Sequence, residues 1–383
     1  MPRLFIDVTR TLQSGLHTGI QRVVRRLLDA LRRAAPAQAF PAVFDGEHWY
    51  ALSHLPPHAL EAATAPDTPP VRERIAFSAA DTLLLADASW YLDPWPAVDA
   101  ALDAGARLCG MVHDLLPLHH PEWFRPGLQP RFACHLEQLA RRASQLFAPS
   151  SAVLVQLEAH LTPPARPRLT VLAHGGDFFR PAPLLAGAMI GPPALQHLLA
   201  TDAPPFYLAL GTLEPRKNYH TILDAFDTLW QRGCEQRLVL VGTPGWQVDA
   251  LLARIVTHPE LGQRLFHLTG LDDAHLGLLY RHAQALLYLS LDEGFGLPVL
   301  EAAHLGCPVI TSDIPVLRET GGDWPCYIDP ASPAALVAAL IAAFLAARTQ
   351  PRPAVPRRTW ADVAGQLLLE LELPAAPPSL LAG

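Results

Sequence analysis

The stretch from Leu287 to Asp313 constrains the fold more than any other part of the sequence. It reads as a short apolar strand, a glycine-containing loop, a helix and a second apolar strand. Pro298 stands near the start of the predicted helix, where proline is tolerated because the N–H that it lacks would have no helical partner. Strand, loop, helix and strand in this order predict a parallel α/β unit.

The loop of this stretch has the features of an anion site with carboxylates beside it. Gly294 and Gly296 precede the helix, whose N-terminus gathers backbone N–H groups and the positive end of the helix dipole. Glu293 and Glu301 flank this point with seven residues between them. Carboxylates accept hydrogen bonds from hydroxyl groups, whereas phosphate binding does not require them. The combination predicts a nucleotide sugar as ligand, and the alternative is an ordinary α/β unit with solvated glutamates.

A second loop presents two cations. Arg216 and Lys217 follow the predicted strand from Phe206 to Leu210, and Lys217 is the only lysine among 29 basic residues. Its presence in a chain that otherwise uses arginine indicates that a compact ammonium charge is needed there. Because ligands of parallel sheets lie beyond the carboxyl ends of strands, we expect this loop and the Glu293 loop to hold one diphosphate between them. A surface basic pair is the alternative.

Both motifs resemble those of the retaining glycosyltransferases of family 4, also called glycosyl transferases group 1. The segment from Glu293 to Glu301 resembles the E-x7-E signature, including the intervening GFGLP. The second loop resembles the E-x-R-K-N segment of the family, with Glu214, Arg216, Lys217 and Asn218. The resemblance is strong from about Ala209 to Asp329 and looser over the first half of the chain.

This resemblance implies an α/β chain with the GT-B fold. Two Rossmann-like, doubly wound domains would face a central cleft, and a C-terminal helix would cross back to the first domain. Residues 1–180 with the helix at 358–374 would form the acceptor-binding domain, and residues 206–350 the nucleotide-sugar-binding domain. The segment 181–205 contains six prolines, which suits a linker with one short helix.

The resemblance also implies a function. A retaining enzyme of this family would move a hexose, mannose as the first expectation, from a nucleoside-diphosphate sugar to a hydroxyl of a glycan or lipid-linked saccharide in bacterial surface polysaccharide synthesis. Glu301 would hold the ribose hydroxyls, Glu293 a hydroxyl of the donor sugar, and the backbone near Leu271 the base. The pyrophosphate would be held by Arg216 and Lys217 together with the backbone of Gly294, Phe295, Gly296 and Leu297.

Two residues of the first half are also candidates for the site. His113 follows the predicted strand from Arg107 to Val112, and Gly19 ends the loop after the first strand, so both are predicted at the ligand-binding edge of a sheet. By resemblance, His113 would lie near the donor sugar and the acceptor, and Gly19 would let the backbone approach a phosphate or the acceptor. A structural histidine and a plain helix-start glycine are the alternatives.

Composition and charge limit the cell compartment and the classes of partner that we expect for this chain. A net charge of −7 argues against nucleic acid as a partner, and five scattered cysteines suit a reducing cytoplasm. The N-terminus lacks the shape of a signal peptide, and the longest apolar run, from Ala334 to Ala347, is too short to span a bilayer. The predicted helix from Ile20 to Arg33 has an apolar face for the core and arginines that are either solvated or in contact with an anionic membrane at the inner face of the plasma membrane.

No DxD metal motif follows a strand in a donor-like context, so we expect neither a metal nor another cofactor. Two other functions stay open: a catalytically silent nucleotide-sugar-binding or scaffold protein, and a GT-B-type sugar-nucleotide epimerase. A glycosidase is disfavoured because its paired carboxylates need no cationic phosphate clamp.

Overall fold

A computed structural model describes residues 2–15, 19–56, 69–162, 167–178, 193–200, 203–346 and 358–374, and it leaves out the side chains of 341–346. The strands are β1 Leu4–Asp7, β2 Ala39–Phe44, β3 Trp49–Leu52, β4 Arg72–Arg74, β5 Thr82–Leu85, β6 Arg107–Met111, β7 Gln145–Ala148, β8 Arg168–Val171, β9 Phe206–Leu210, β10 Arg237–Val241, β11 Leu265–Leu268, β12 Leu286–Tyr288, β13 Val309–Ser312 and β14 Cys326–Ile328.

Helices alternate with these strands. They are α1 Thr9–Ser14, α2 Gly19–Ala34, α3 Trp95–Asp103, α4 Leu116–His119, α5 Leu128–Arg142, α6 Ser151–His160, α7 Pro193–Leu198, α8 Tyr219–Gln231, α9 Asp249–Val256, α10 Asp273–His282, α11 Leu297–His304, α12 Pro315–Gly321, α13 Pro333–Ala346 and α14 Trp360–Glu370. The described part of the predicted linker contains α7, and residues 181–192 of that linker lie outside the described residues.

The chain divides into two compact units. The first unit comprises Met1–Pro121, Pro126–Gly175 and Arg358–Gly383, and the second comprises Glu122–Arg125 and Gly176–Arg357. The last helix, α14, therefore belongs to the first unit, where it packs against α2. The prediction that a C-terminal helix returns to the first domain is confirmed.

The first unit contains an eight-stranded sheet in the order β4-β3-β2-β1-β5-β6-β7-β8. Six neighbouring strands of this sheet, β2, β1, β5, β6, β7 and β8, are parallel. The other two, β3 and β4, form an antiparallel edge. The strand order reverses between the neighbours β1 and β5, as in a doubly wound fold. No strand was predicted at β2, β3 or β4. The last two are difficult to recognise because they are short. β4 is a fully exposed Arg-Glu-Arg segment, and such charged residues protect a sheet edge.

The second unit contains a six-stranded, entirely parallel sheet in the order β11-β10-β9-β12-β13-β14. Alternate residues of β9 enter two different apolar clusters: Tyr207 and Ala209 enter one, and Phe206, Leu208 and Leu210 enter the other. Because successive side chains of a strand point to opposite faces, the sheet is covered on both sides. The strand order reverses between β9 and β12, so the loops that follow these two strands emerge side by side.

Helix α2 packs its apolar face into the first unit. Its valines and leucines are all buried, which confirms the predicted core face. Two of its arginines donate hydrogen bonds within the unit, Arg25 to the Pro56 carbonyl at 2.8 Å and Arg32 to the Ser53 carbonyl at 2.9 Å. Contact of this helix with lipid stays a prediction. No helix of the described chain combines the length and the apolar character needed to cross a bilayer, and all five cysteines are free thiols.

Two buried carboxylates lie where the strand order of the first unit reverses. Asp7 ends β1 and accepts hydrogen bonds from the Thr9 hydroxyl at 2.6 Å and the Ser89 hydroxyl at 2.6 Å. Asp87 follows β5 and accepts a hydrogen bond from the Thr11 N–H at 2.6 Å. Burial and the charge of Asp7 raise the pKa of Asp87 to about 7, against the opposing effect of backbone N–H groups. Burial likewise raises the pKa of Asp7.

These raised pKa values predict that the stability of the chain depends on pH. An unfolded aspartate loses its proton near pH 4, so between about pH 4 and pH 7 the folded state holds a proton that the unfolded state has lost. The free energy of unfolding should therefore fall as pH rises through this window. Relative to Asp87→Asn, which carries no titrating group at this position, the wild type should lose roughly 3 kcal/mol between pH 5 and pH 8. Thermal denaturation of both proteins at the two pH values measures this, and parallel pH curves would contradict it.

Candidate active site

The site is built where the strand order of the second unit reverses, which is the usual ligand position in open parallel sheets. The loop after β9 runs into a 3-10 turn at Pro215–Lys217, and the loop after β12 leads to α11. The backbone N–H of Leu291 donates to the carbonyl of Arg216 at 2.8 Å. The two loops that were predicted to lie together are therefore in direct contact.

Asn218 fixes the end of the cationic loop. Its φ of 56° places it in the left-handed region, which asparagine tolerates better than most residues. The side-chain amide donates to the Pro330 carbonyl at 2.6 Å and its oxygen accepts from the Thr221 hydroxyl at 2.8 Å. These bonds join the end of the 3-10 turn to the loop after β14 and to the first turn of α8, and they thereby hold the residue next to Lys217.

Lys217 and Glu293 form a buried ion pair at the centre of the site. The Lys217 ammonium donates to Oε1 of Glu293 at 2.5 Å, and both residues are less than a tenth exposed. The Tyr288 hydroxyl accepts a hydrogen bond from the same ammonium at 2.6 Å and donates to the same Oε1 at 2.8 Å. Three side chains from two loops and one strand are thus joined in one network.

Arg216 adds the second cation. Its Nη1 lies 2.6 Å from Oε1 of Glu293, and its Nε donates to Oε2 of Glu214 at 2.9 Å. Two cations and two carboxylates therefore stand together in a largely buried place. Since a buried charge is costly unless it is paired, the contacts of Glu293 with Arg216 and Lys217 offset part of the cost of burying these charges.

The electrostatics of Glu293 follow from this arrangement. Burial alone would raise the pKa of Glu293, but the charges of Arg216 and Lys217 and their bonds outweigh burial and hold that pKa well below its usual range. For Lys217, burial and the charge of Arg216 lower the pKa, while Glu293 and Glu214 act in the opposite direction. Glu293 is therefore a carboxylate, and it is already engaged by cations of the chain.

Glu301 lies on α11, the helix that follows the Glu293 loop. It is buried on α11, and its Oε2 accepts a hydrogen bond from the Tyr280 hydroxyl at 3.0 Å. Gly296 precedes α11 with a φ of 89°, a left-handed conformation that glycine adopts without strain. A Cβ at this position would overlap Cδ2 of Leu317. The turn that joins the two glutamates therefore requires glycine at this point.

Residues 195–352 match the family described as Glycosyl transferases group 1. The chain is 34% identical over 359 residues to the serotype-specific mannosyltransferase WbdA of Escherichia coli, a match that covers 88% of this chain and 42% of that protein. It is 37% identical over 129 residues to the O-antigen chain mannosyltransferase B of Escherichia coli, a third of each chain. The chain thus spans less than half the length of WbdA.

Both loops of the site lie within the segment that matches glycosyl transferases group 1.

Solved structures confirm the fold of the chain. HepE of Anabaena, solved with UDP and glucose, superposes with a TM-score of 0.66 at 16% identity and covers 97% of this chain and 100% of that one. The sucrose-phosphate synthase of Thermosynechococcus elongatus gives a TM-score of 0.60 at 17% identity over 97% and 94% of the two chains. The predicted GT-B fold with two Rossmann-like domains is confirmed.

The remaining predicted donor residues of the second unit lie in three settings. Gly294 and Phe295 follow Glu293 in its loop, and the Phe295 carbonyl accepts a bond from the Thr320 hydroxyl at 2.5 Å. Leu297 is the first residue of α11. Leu271 is buried in the apolar cluster beyond β11. Their contacts with a donor stay predictions.

His113 and Gly19 belong to the first unit. His113 follows β6, is buried, and lies with Nε2 at 2.8 Å from the Ala86 carbonyl. Burial lowers the pKa of His113 to about 4, so the ring is neutral at pH 7, and a donating Nε2–H leaves Nδ1 as the acceptor. Gly19 begins α2, and a Cβ there would meet no atom of the described chain within 4 Å. Neither a positive φ nor a close neighbour within that part of the chain explains this glycine.

Several polar groups at the two sites were not predicted. Tyr288 and Tyr280 hold the two glutamates, and a cavity beside His113 is lined by Asp87, Trp90 and His135. Within the described residues, Trp90 Nε1 and His135 Nδ1 are buried without a hydrogen-bond partner. The position of Asp87 just beyond the end of β5 was the available signal for this cavity.

Within the residues that the structure describes, no group of three or more His, Cys, Asp or Glu side chains is placed to hold a metal. Metal independence stays a prediction.

Gly296 provides a test of the turn between the glutamates. Gly296→Ala should lower both the free energy of unfolding and the affinity for nucleoside diphosphate, because it adds a left-handed alanine and a clash with Leu317. Gly262→Ala is the matched control, since Gly262 has a φ of 80° but open space around the added Cβ. The control should lose only about 1–2 kcal/mol from the left-handed conformation, without a change in affinity. Equal losses in the two variants, measured by denaturant unfolding and calorimetry, would contradict the assigned clash.

Proposed function

We propose that this chain is a retaining mannosyltransferase. It transfers mannose from a nucleoside-diphosphate sugar, GDP-mannose as the first candidate, to a hydroxyl of a glycan or lipid-linked saccharide in O-antigen-type surface polysaccharide synthesis. The observation that carries the proposal is the buried group of Arg216, Lys217 and Glu293 at the strand-order reversal. The sugar and the pathway are supported by the relatives, which are named as mannosyltransferases and, in the shorter matches, as O-antigen chain mannosyltransferases.

The two cations receive the diphosphate of the donor. Arg216 and Lys217 carry two positive charges on adjacent residues, and the start of α11 adds the positive end of a helix dipole nearby. Lysine suits this place as a compact point charge, and arginine suits it as a bidentate donor to phosphate oxygens. Glu301 accepts hydrogen bonds from the ribose, and Glu293 accepts one from the donor sugar.

The transfer step places negative charge on the leaving group. The acceptor oxygen bonds to the anomeric carbon as the bond from that carbon to the β-phosphate oxygen breaks, and the electron pair leaves with the nucleoside diphosphate. The acceptor proton passes to that phosphate oxygen on the same face, which retains the anomeric configuration without a protein nucleophile. Cations fixed in advance in a water-poor place stabilise such charge strongly. Arg216 and Lys217 supply this stabilisation, and we propose that no metal is required.

The first unit supplies the acceptor side of the proposal. His113 is neutral and presents an acceptor nitrogen, and its cavity also contains the Trp90 indole and the Asp87 carboxyl. The cavity has room for about one water-sized group, so a single hydroxyl of the acceptor would find both donors and acceptors there. We place the reaction in the cytoplasm, because five free thiols suit a reducing compartment.

Lys217→Ala tests the assigned leaving-group role. The rate of nucleoside diphosphate release from GDP-mannose with an acceptor should fall by about 100-fold or more, because the charge on the departing phosphate loses one of its two proposed stabilising cations. Arg254→Ala is the control, since it removes a cation of the same unit that pairs with Asp224 and Asp227 instead. The control should keep its rate, and a chelator should change neither protein. A near-normal rate for Lys217→Ala would rule out the role.

A thermal-shift panel of GDP, UDP and dTDP identifies the donor nucleotide. The nucleotide that binds the folded chain raises its melting temperature by mass action, and we expect the largest rise with GDP. A larger rise with UDP or dTDP would replace the donor while keeping the reaction class. Return of an isomerised nucleotide sugar without acceptor would indicate the epimerase, and binding without release for any acceptor tested would indicate a silent binding protein.

A further inference from the structure

Each glutamate of the Glu293 to Glu301 motif receives a hydrogen bond from a buried tyrosine of another element. Tyr288, at the end of β12, donates to Glu293, and Tyr280, on α10, donates to Glu301. The two tyrosines are 3% and 0% exposed. A buried phenol needs a polar partner, and each of these phenols has a carboxylate of the proposed donor site as its partner.

Tyr288 orients the carboxylate of Glu293. Its hydroxyl accepts from the Lys217 ammonium at 2.6 Å, so its own hydrogen is directed to Oε1 of Glu293 at 2.8 Å. Oε1 also accepts from Lys217 at 2.5 Å and lies 2.6 Å from Nη1 of Arg216. Within the described residues, these side-chain contacts all fall on Oε1. The arrangement fixes which oxygen faces the chain and keeps Oε2 for a hydroxyl of the sugar.

Tyr280 orients the carboxylate of Glu301 by a different route. Its hydroxyl donates to Oε2 of Glu301 at 3.0 Å and lies 3.4 Å from the Pro298 carbonyl, so the carboxylate is the nearer acceptor. The ring is held in the apolar core of the second unit, where it packs edge-on against Phe178 with ring centroids 5.8 Å apart. A rigid ring therefore fixes one carboxylate oxygen on α11.

We propose that Tyr288 and Tyr280 are positioning residues for the transfer reaction, each serving one half of the nucleotide sugar. Tyr288 holds Glu293 in the orientation that meets the donor sugar, and Tyr280 holds Glu301 in the orientation that meets the ribose hydroxyls. The inference rests on the function proposed above. It adds that Tyr280 acts on the affinity for the nucleotide, whereas Tyr288 acts on kcat.

Tyr280→Phe separates a ribose role from a structural one. Calorimetric titration of the wild type and the variant uses GDP, UDP and the 2′,3′-dideoxy form of each nucleotide. Affinity for the ribose nucleotide that binds the wild type should fall about tenfold, the weight of a hydrogen bond to a charged group. Affinity for its dideoxy form should stay within twofold, because that form has no ribose hydroxyls for Glu301. An equal loss for both forms, or no loss for either, would overturn the assignment.

Tyr288→Phe is expected to act on the chemical step. Its kcat with the nucleotide sugar should fall about tenfold or more, since the Glu293 carboxylate loses a bond that fixes its orientation. The dissociation constant of the nucleoside diphosphate should stay within threefold, because that ligand lacks the donor sugar and Lys217 keeps its ion pair with Glu293. A loss of affinity as large as the loss of kcat would overturn the role, and so would an unchanged kcat.

Tyr207→Phe is the matched control for both variants. It removes a phenol oxygen of similar burial from the same unit, in the apolar cluster on the other face of the sheet. Its kinetic and binding constants should equal those of the wild type, and melting temperatures identify any loss that is only structural. Either test variant behaving like this control would overturn its assignment. A wild type that binds no nucleoside diphosphate and releases none from a nucleotide sugar would instead refute the proposed function, and the inference with it.

Discussion

The buried contact between Lys217 and Glu293 is the interaction on which the rest of the site depends. Removing two charges from water is costly, and only their mutual attraction and further hydrogen bonds offset that cost. The two residues are 76 positions apart, and they meet because β9 and β12 are neighbours at the strand-order reversal. The backbone bond from Leu291 to Arg216 then holds the two loops together. The order of the strands in the second unit therefore decides whether the ion pair of the site can form.

The strand order reverses in both sheets, but the pKa values of the carboxyl groups at the two points of reversal are shifted in opposite directions. In the second unit the carboxylate of Glu293 is compensated by two cations, and its pKa is depressed. In the first unit, Asp7 and Asp87 are satisfied by hydroxyl and backbone N–H groups, and their pKa values are raised. Two nearby carboxylates without a cation favour retention of a proton. The carboxylate at one reversal is therefore ionised, whereas the carboxyl groups at the other favour a proton.

Much of the second unit could be predicted from the sequence because its signals are local. The bounds of β9 and β10 follow from apolar runs bordered by glycine and proline, and the meeting of Lys217 with Glu293 follows from the rule for strand ends. Tyr288 escaped prediction because a tyrosine in a buried strand reads as core, and the direction of its hydroxyl depends on a lysine 71 residues away. The Asp87 cavity escaped for the same reason, since its lining comes from several elements of the first unit.

Lys217 has one more consequence that comes from its chemistry rather than its charge. It is the only lysine of the chain, so its side chain is the only ε-amine that an acylating reagent meets. Burial makes that amine hard to reach, and the nearby Arg216 charge favours its neutral, nucleophilic form. Apart from the terminal amine, all amine-linked acyl label on this protein therefore reports on the state of Lys217 Nζ. Acylation of this lysine can therefore be measured without interference from any other lysine.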